Sequence, residues 1–222
     1  STLPVIPLRN TIVLPQTVTP LLVGRAGSIN AAEKALLKAK RIICVPQKNL
    51  NEGETDPKAS ELYRMGTRCT ILQVLRLPDG NIRLLVEGDY RVKINRYYRT
   101  RDHLNASYAY INKLMDVEPL ETEALLRSFR RTFSDYIKFN KSIPDEALIP
   151  INETHSARDF FYFVLANTQI DISEKQRLYE MDDLEKSIKK LFKIIQREIQ
   201  ILKLERKIDG DVKEKLNKIQ KE

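Results

Sequence analysis

The stretch Thr67–Arg96, TRCTILQVLRLPDGNIRLLVEGDYRVKINR, decides the first half of the fold. Thr67–Leu77 and Ile82–Val86 are aliphatic and β-branched, and Pro78-Asp79-Gly80-Asn81 stands between them. Pro presets φ at the first turn position, Asp tolerates the second, and Gly accepts a positive φ, so the two runs predict a β-hairpin. Tyr90–Arg96 then alternates, with Tyr90, Val92 and Ile94 on one side and Arg91, Lys93 and Asn95 on the other, which reads as a half-buried strand. Toward the N-terminus, Pro4, Pro7, Pro15 and Pro20 break up Leu3–Val23 and leave room only for short extended pieces. Ser28 is the expected cap of one helix, with Ile29, Ala32, Leu36 and Leu37 on a shared face. Arg41–Val45 reads as a strand, Lys48–Ser60 as a polar surface loop, and Ala106–Leu114 as one more strand. Short strands at this spacing, with a single helix among them, form a small barrel or a curled sheet.

The second half changes period. Pro119, Glu121 and Glu123 suit a helix start, and Leu125, Phe129, Phe133, Tyr136 and Ile137 recur at three- and four-residue spacing. A short helix is expected after Pro144, another over Ser156–Ala166, and a third over Glu174–Glu180 capped by Ser173. Asp182 or Asp183 can cap the last element, because Leu184–Glu222 contains no Pro. A helix of that length spans roughly 58 Å, more than a small core can cover. Its apolar positions are dense through Ile188, Leu191, Ile194, Ile195, Ile201, Leu202 and Ile208, and thin beyond Gly210 to Val212, Leu216 and Ile219. The early turns should pack on the preceding helices, and the later ones should project toward a partner helix. The expected class is α+β, with a β-rich domain at 1–116, a helical bundle at 117–183 and a long C-terminal helix at 184–222.

The chain has 222 residues, 42% hydrophobic and 31% charged, with ten Pro and seven Gly, so it folds. The longest apolar run, Phe160–Ala166, is far short of the roughly 18–20 residues of a membrane helix, and Ser1–Arg9 lacks the features of a secretory signal. The missing initiator Met and the uncapped stop at Gln220-Lys221-Glu222 read as the ends of a piece of a longer protein. The net charge of +8 is divided as +7 over residues 1–118, −4 over 119–183 and +5 over 184–222, which speaks for separate structural units rather than one concentrated nucleic-acid patch. Cys44 and Cys69 lie in apolar stretches and read as small buried hydrophobes in a reducing compartment.

The usual signatures of catalysis are missing. There is no Gly-x-x-x-x-Gly-Lys-Ser/Thr loop, no Cys-x-x-Cys pair and no His-Glu-x-x-His. His103 and His155 are far apart and read as surface or satisfied histidines. Ser156 beside His155 is not a triad, and Asp145-Glu146 and Asp182-Asp183 answer a helix macrodipole. The residues therefore argue against an enzyme and against a resident cofactor or metal. Two stretches carry binding hypotheses. Tyr90–Arg101 interleaves aromatics with five basic residues, a pattern that can stack bases and neutralise phosphates, although a solvated strand face explains it more simply. Phe160-Phe161-Tyr162-Phe163-Val164-Leu165 is either a core helix or, through Phe160, Phe161 and Phe163, an apolar patch that grips unfolded polypeptide. On the last helix, Ile201, Leu202, Ile208, Val212 and Leu216 are the candidates for pairing with a partner helix, and Lys189, Lys190, Lys193, Lys203, Arg206 and Lys207 form a solvated face.

Several separate stretches, in order, also carry a family resemblance. Pro4-Val5-Ile6-Pro7-Leu8-Arg9-Asn10, Leu14-Pro15 and Pro20-Leu21-Leu22-Val23-Gly24-Arg25 resemble the opening of the Lon family of ATP-dependent proteases. Gly66-Thr67, Ile71-Leu72-Gln73, Leu77-Pro78-Asp79-Gly80 and Val86-Glu87-Gly88 resemble its central hairpin, and Lys175-Gln176-Arg177-Leu178-Tyr179-Glu180 its helical section. Phe160–Phe163 is bulkier than the family's helix at that place. The resemblance covers the N-terminal region alone and implies a PUA-like barrel followed by a helical bundle and a long helix. It further implies a chain of the bacterial cytoplasm, with the mitochondrial matrix as the alternative location, that recruits misfolded or tagged proteins and supports a hexamer. ATP, Mg2+ and the Ser-Lys dyad would lie beyond Glu222, leaving no catalytic residue here. The same barrel type also serves RNA-binding modules, so RNA remains the alternative partner, and a purely structural scaffold the third reading.

Overall fold

The computed structural model describes residues 1–49, 55–111, 120–143 and 156–219. In chain order the elements are β1 (Thr2–Leu8), β2 (Val18–Val23), α1 (Ala26–Leu36), β3 (Arg41–Pro46), β4 (Met65–Arg76), β5 (Ile82–Arg99), β6 (Leu104–Tyr110), α2 (Leu120–Phe139), α3 (Ala157–Asn167), α4 (Ile172–Glu180) and α5 (Leu184–Ile219). They form two compact units. One holds Ser1–Met115 with Gln169–Asp182, and the other Asp116–Thr168 with Asp183–Glu222. Pro119, the expected helix after Pro144, Asp145-Glu146, His155 and the last residues 220–222 lie outside the described residues.

The first unit is a mixed six-stranded sheet in the order β2-β5-β4-β3-β1-β6, in which β6 also pairs with the second half of β5. Among the strand pairs of the described residues β1–β3 is parallel and the others antiparallel. The sheet curls far enough for β6 to return to the second half of β5, and β2, attached to the first half of β5, lies outside that circuit with its other edge free of any strand among the described residues. The predicted turn closes the β4–β5 hairpin. Gly80 takes φ +87°, its N–H donates to Leu77 O at 3.1 Å, and Leu77 N–H donates to Asn81 O at 2.9 Å. The two runs read separately as 82–86 and 90–96 are one strand of 18 residues. Gly88 in its middle allows this. A Cβ there would lie 2.1 Å from Leu14 O, and the chain instead crosses close enough for Gln16 N–H to reach Gly88 O at 2.8 Å.

Alternate residues of β1 and β3 feed two apolar clusters. Ile6, Ile42 and Cys44 join α1 through Ala31, Ala32 and Ala35, while Val5, Ile43 and Val45 join Val92, Ile94, Leu104 and Ala106. The two cysteines are free and buried, as their setting predicts. Helix α1 starts before its expected cap. Arg25 is the N-cap, Ile29 N–H donates to Arg25 O at 3.0 Å, and Ser28 falls inside the first turn. Leu37, assigned to the apolar face, is exposed because the helix ends at Leu36.

Helix α4 completes this unit, although its sequence neighbours are helical. Its Tyr179 hydroxyl lies 2.7 Å from Thr67 Oγ1; since Thr67 donates to Val13 O, it accepts from Tyr179. Gln176 Nε2 donates to Met65 O at 3.0 Å. The strongest tie is Arg91, which the alternation placed on the solvent face. It is buried, donating to the backbone oxygens of Tyr179 at 2.7 Å and Met181 at 3.0 Å and to Asp182 Oδ1 at 3.1 Å. A guanidinium can occupy a strand's inner position when carbonyls satisfy its donors.

The second unit is helical. Phe129, Phe133, Tyr136 and Ile137 of α2 are buried, as their spacing predicts. Ser156 caps α3, accepting from Asp159 N–H at 3.3 Å. Asp183 caps α5, and the Lys186 N–H donor at 3.0 Å holds its carboxyl below the ordinary carboxylate range. Leu184, Ile188, Leu191, Ile195 and Ile199 form the buried side of α5. Arg206 of α5 donates to Phe139 O at 3.0 Å and stacks over the Phe139 ring, closing the C-terminal end of α2.

Candidate functional site

The outer face of the β2–β5–β4 sheet carries apolar side chains that nothing among the described residues covers. Residues directly opposite one another in paired strands share a face. Leu22 pairs with Arg83, and Arg83 with Leu75, giving one outward row of three. The next outward row is Pro20, Leu85 and Gln73. The inward row between them is Leu21, Leu84 and Val74, which belongs to the core. Leu22 is 67% exposed, Leu75 55%, Val18 54% and Leu72 44%. Leu72 is displaced outward by the irregularity between Ile71 and Gln73. A single exposed leucine is ordinary, but several on one sheet face form a surface of the kind that meets another chain. Arg83 at the centre can hydrogen-bond a backbone carbonyl while its stem lies on the leucines.

Beside this face lies a cavity of about 750 Å3 between the end of β1, the free edge of β2 and the first turn of α1. Arg9, Arg25 and Ser28 are among its lining residues, and Pro20 and Leu22 belong both to it and to the outer face. Arg25 Nη2 donates to Gln47 Oε1 at 2.7 Å. Burial pulls the Arg25 pKa below its ordinary value; Arg9 adds to that, and Asp56 and Glu61 oppose it.

The residues singled out by sequence occupy other positions. Phe160 and Phe161 are buried; the Phe160 ring meets Phe129 edge-on at 5.4 Å and lies under Arg130 at 4.5 Å. Phe163 is half-buried, 6.1 Å from Phe133. On α5, Ile201, Ile208, Val212 and Leu216 are exposed and Leu202 is half-buried. Leu204 and Ile219, not among the candidates, extend the same exposed stripe. The Tyr90–Arg101 segment does not present one surface. Arg91 is buried, Tyr97 donates to Tyr63 O at 2.6 Å, and Tyr90 stacks edge-on against Tyr110 at 4.6 Å. His103 is a satisfied histidine, its Nδ1 2.7 Å from Asp102 Oδ1 and its Nε2 3.1 Å from Asn105 Nδ2. That contact holds the Asp102 carboxyl below its ordinary range. Among the described residues, no three His, Cys, Asp or Glu side chains are grouped to hold a metal, and no helix is long and apolar enough to cross a membrane.

The outer face was missed because strand alternation was followed for one side only. Its signal is present in the sequence: Ile71/Leu72, Val74/Leu75 and Leu84/Leu85 put apolar residues on both parities, which a strand with one wet face does not need.

Comparison with known proteins adds family relationships. Residues 2–197 match the profile of the ATP-dependent protease La (LON) substrate-binding domain. Lon protease 1 of Syntrophobacter fumaroxidans is 39% identical over 221 residues, covering 99% of this chain and 27% of that protein. Lon protease of Escherichia coli K12 is 34% identical over 220 residues, covering 99% of this chain and 28% of its own. The chain thus spans about a quarter of the length of these curated relatives. Among solved structures, the N-terminal domain of a Mycobacterium avium complex Lon protease superposes with a TM-score of 0.71 at 18% identity, covering 88% of this chain and 98% of that one.

Proposed function

Because this chain belongs to the Lon substrate-binding domain family, we infer that it holds unfolded or damaged polypeptide for an ATP-dependent Ser-Lys protease whose motor and active sites lie elsewhere in the full-length protein. The observation that carries the reading is the outer face of β2–β5–β4, with Leu22, Leu72 and Leu75 displayed around Arg83. An unfolded segment supplies the aliphatic side chains that such a face can desolvate and the carbonyls that Arg83 can bind. Burying one leucine side chain contributes about 1.5–3 kcal/mol, so a few such contacts offset much of the cost of association and give weak, reversible capture. No residue here is assigned to ATP or Mg2+, and a bacterial cytoplasmic location is part of the same proposal.

The second half of α5 serves assembly in this reading. Ile201, Leu204, Ile208, Val212, Leu216 and Ile219 follow one another at steps of three or four residues and stay exposed. Their mean step is near the 3.6 residues of a straight helix, so the stripe runs along one side without drifting into a left-handed supercoil. Other subunits of the same protein, in a hexamer when full length, are the partners proposed for it.

The test is fluorescence anisotropy of a labelled, permanently unfolded protein titrated with this chain, alongside a folded control and a single-stranded RNA, each at two salt concentrations. Binding to the unfolded chain alone, tolerant of salt and weakened at least tenfold by Leu22→Asp with Leu75→Asp, supports the reading. Unchanged binding by the double variant removes this face from the account. Binding to RNA alone, falling steeply with salt, overturns the recruiting role.

A further inference from the structure

The open edge of β2 can be followed group by group along the backbone. Gly88 N–H donates to Thr17 O at 2.9 Å, which turns Thr17 toward β5. In an antiparallel pair, residues that bond the neighbouring strand alternate with residues whose N–H and C=O point away from it. Thr19, Leu21 and Val23 therefore continue the bonds to β5, while Val18, Pro20 and Leu22 turn their backbones to the other side. Pro20 agrees with this assignment, since a residue without an N–H belongs on the side of a strand that makes no ladder bond. That side carries Val18 N–H and O, Pro20 O, and Leu22 N–H and O, and no strand among the described residues pairs with it. The edge opens onto the cavity of about 750 Å3, of which Pro20, Leu21, Leu22 and Val23 form part of the wall. The end of β1 forms another part, and Ile6 and Leu8 there, with Leu21 and Val23, make the lining aliphatic.

We propose that the β2 edge takes an extended segment of unfolded polypeptide as one more strand of the sheet. The proposal rests on the polypeptide-binding reading and specifies its mode, backbone pairing at an edge. A row of backbone donors and acceptors is matched by another extended backbone, and such a backbone is bonded to water in unfolded chains but already paired in folded ones. The edge therefore selects the unfolded state without reading a particular sequence. Successive side chains of the added strand point to opposite faces. One set continues the outer row of Leu22, Arg83 and Leu75, and the other enters the aliphatic cavity. The edge is thus continuous with the surface that carries the polypeptide-binding reading, and it adds a place for the side chains on the far face of the segment. Pro20 leaves the edge one donor short at its centre, as prolines on sheet edges do where they limit pairing between copies. A second copy of β2 would bring that deficit twice, whereas a foreign segment without proline meets it once and still finds the donors of Val18 and Leu22 on either side.

The experiment titrates this chain into fluorescent peptides of one sequence, alternating leucine and serine, and reads their anisotropy. Three forms are compared: unmodified, N-methylated at every leucine, and N-methylated at every serine. A strand paired along one edge bonds through alternate residues, so one methylated form should bind about tenfold more weakly than the unmodified peptide and the other within about threefold of it. The unmodified peptide should also displace a labelled, permanently unfolded protein. Val18→Pro removes an edge donor that makes no bond to β5 and should weaken the unmodified peptide by about threefold or more, whereas Val18→Thr, which keeps the donor, should not. Equal binding of all three forms, or equal loss in both methylated forms, overturns the proposal and leaves the apolar-face reading intact. Capture of the unfolded protein with no binding of the unmodified peptide does the same. Absence of binding by the peptides and by the unfolded protein overturns the two readings together. Equal effects of Val18→Pro and Val18→Thr, with circular dichroism unchanged, move the pairing off this edge, and a dimer of this chain that Val18→Pro dissociates gives the edge to a second copy; either result overturns the proposal. The peptide comparison uses the unaltered chain and does not depend on any variant folding.

Discussion

Replacing Arg91 with Met keeps the aliphatic stem of the side chain and removes its five donors. Two backbone oxygens, Tyr179 O and Met181 O, then lose a charged partner at 2.7 and 3.0 Å. Each buried acceptor left unsatisfied costs about 1–3 kcal/mol. The third contact, to Asp182, is a weaker one: the Asp182 side chain is 64% exposed against 2% for Arg91, so solvent screens the pair and its share is about 1 kcal/mol or less. The expected loss for Arg91→Met is about 3–5 kcal/mol, most of it from the two carbonyl oxygens left without a donor. Asp182→Asn should cost about 1 kcal/mol or less. With a urea slope of about 2 kcal/mol/M, the Arg91→Met midpoint should fall by about 1.5–2.5 M. Amide exchange adds a local readout, because the amides of α4 should lose protection in Arg91→Met before those of β3 and β4 do. A midpoint shift no larger than that of Asp182→Asn would falsify the reasoning, since the carbonyl contacts would then contribute nothing.

Two further outcomes test other parts of the structure. Lys175 is largely buried, and burial lowers its pKa to about 8 from 10.5. Between these values the unfolded chain binds more protons than the folded one, so stability from this group rises with pH across that window. Lys175→Met should therefore be more stable than the parent by about 1–3 kcal/mol at pH 7. Thermal melts should show that advantage shrinking above pH 8 and gone near pH 10.5; an advantage that is flat with pH refutes the assignment. Ile208→Asp with Leu216→Asp alters only exposed positions. It should leave the melting temperature of this chain within about 2 °C, consistent with a change of under 0.5 kcal/mol, and should lower the oligomeric order of the full-length protein in sedimentation. An unchanged full-length assembly removes this stripe from it.

The hairpin, the α2 stripe and the cap at Asp183 were legible because each depends on a few neighbouring residues. Gly80 and its turn need only local geometry, and Phe129, Phe133 and Tyr136 need only a helical period. What the sequence hid depended on distant partners. Arg91 looked solvent-facing because its acceptors lie 88 and 90 residues away. The grouping of α4 with the sheet followed from the same contact and has no local signal. Ser28 looked like a cap because serine favours that position, but the helix begins two residues earlier at Ala26, and the cavity beside that turn is made by β1 and β2. The aromatic run 160–163 drew attention by composition, yet Phe129 and Arg130 already surround Phe160. The outer leucines were spread over three strands and became one surface only through register.

The sheet unit is discontinuous in the chain, and that has a consequence during synthesis. Residues 1–115 emerge from the ribosome carrying Arg91 and Thr67 without the segment that satisfies them, and residues 169–182 arrive only after the whole insertion between them. At about 5–20 residues per second, the sheet waits several seconds for its last helix. During that interval the insertion hangs from the incomplete sheet unit by one end, and it becomes a closed loop only when residues 169–182 dock. A truncation ending near residue 116 would freeze the nascent state, with a buried guanidinium exposed to water and a sheet face left bare.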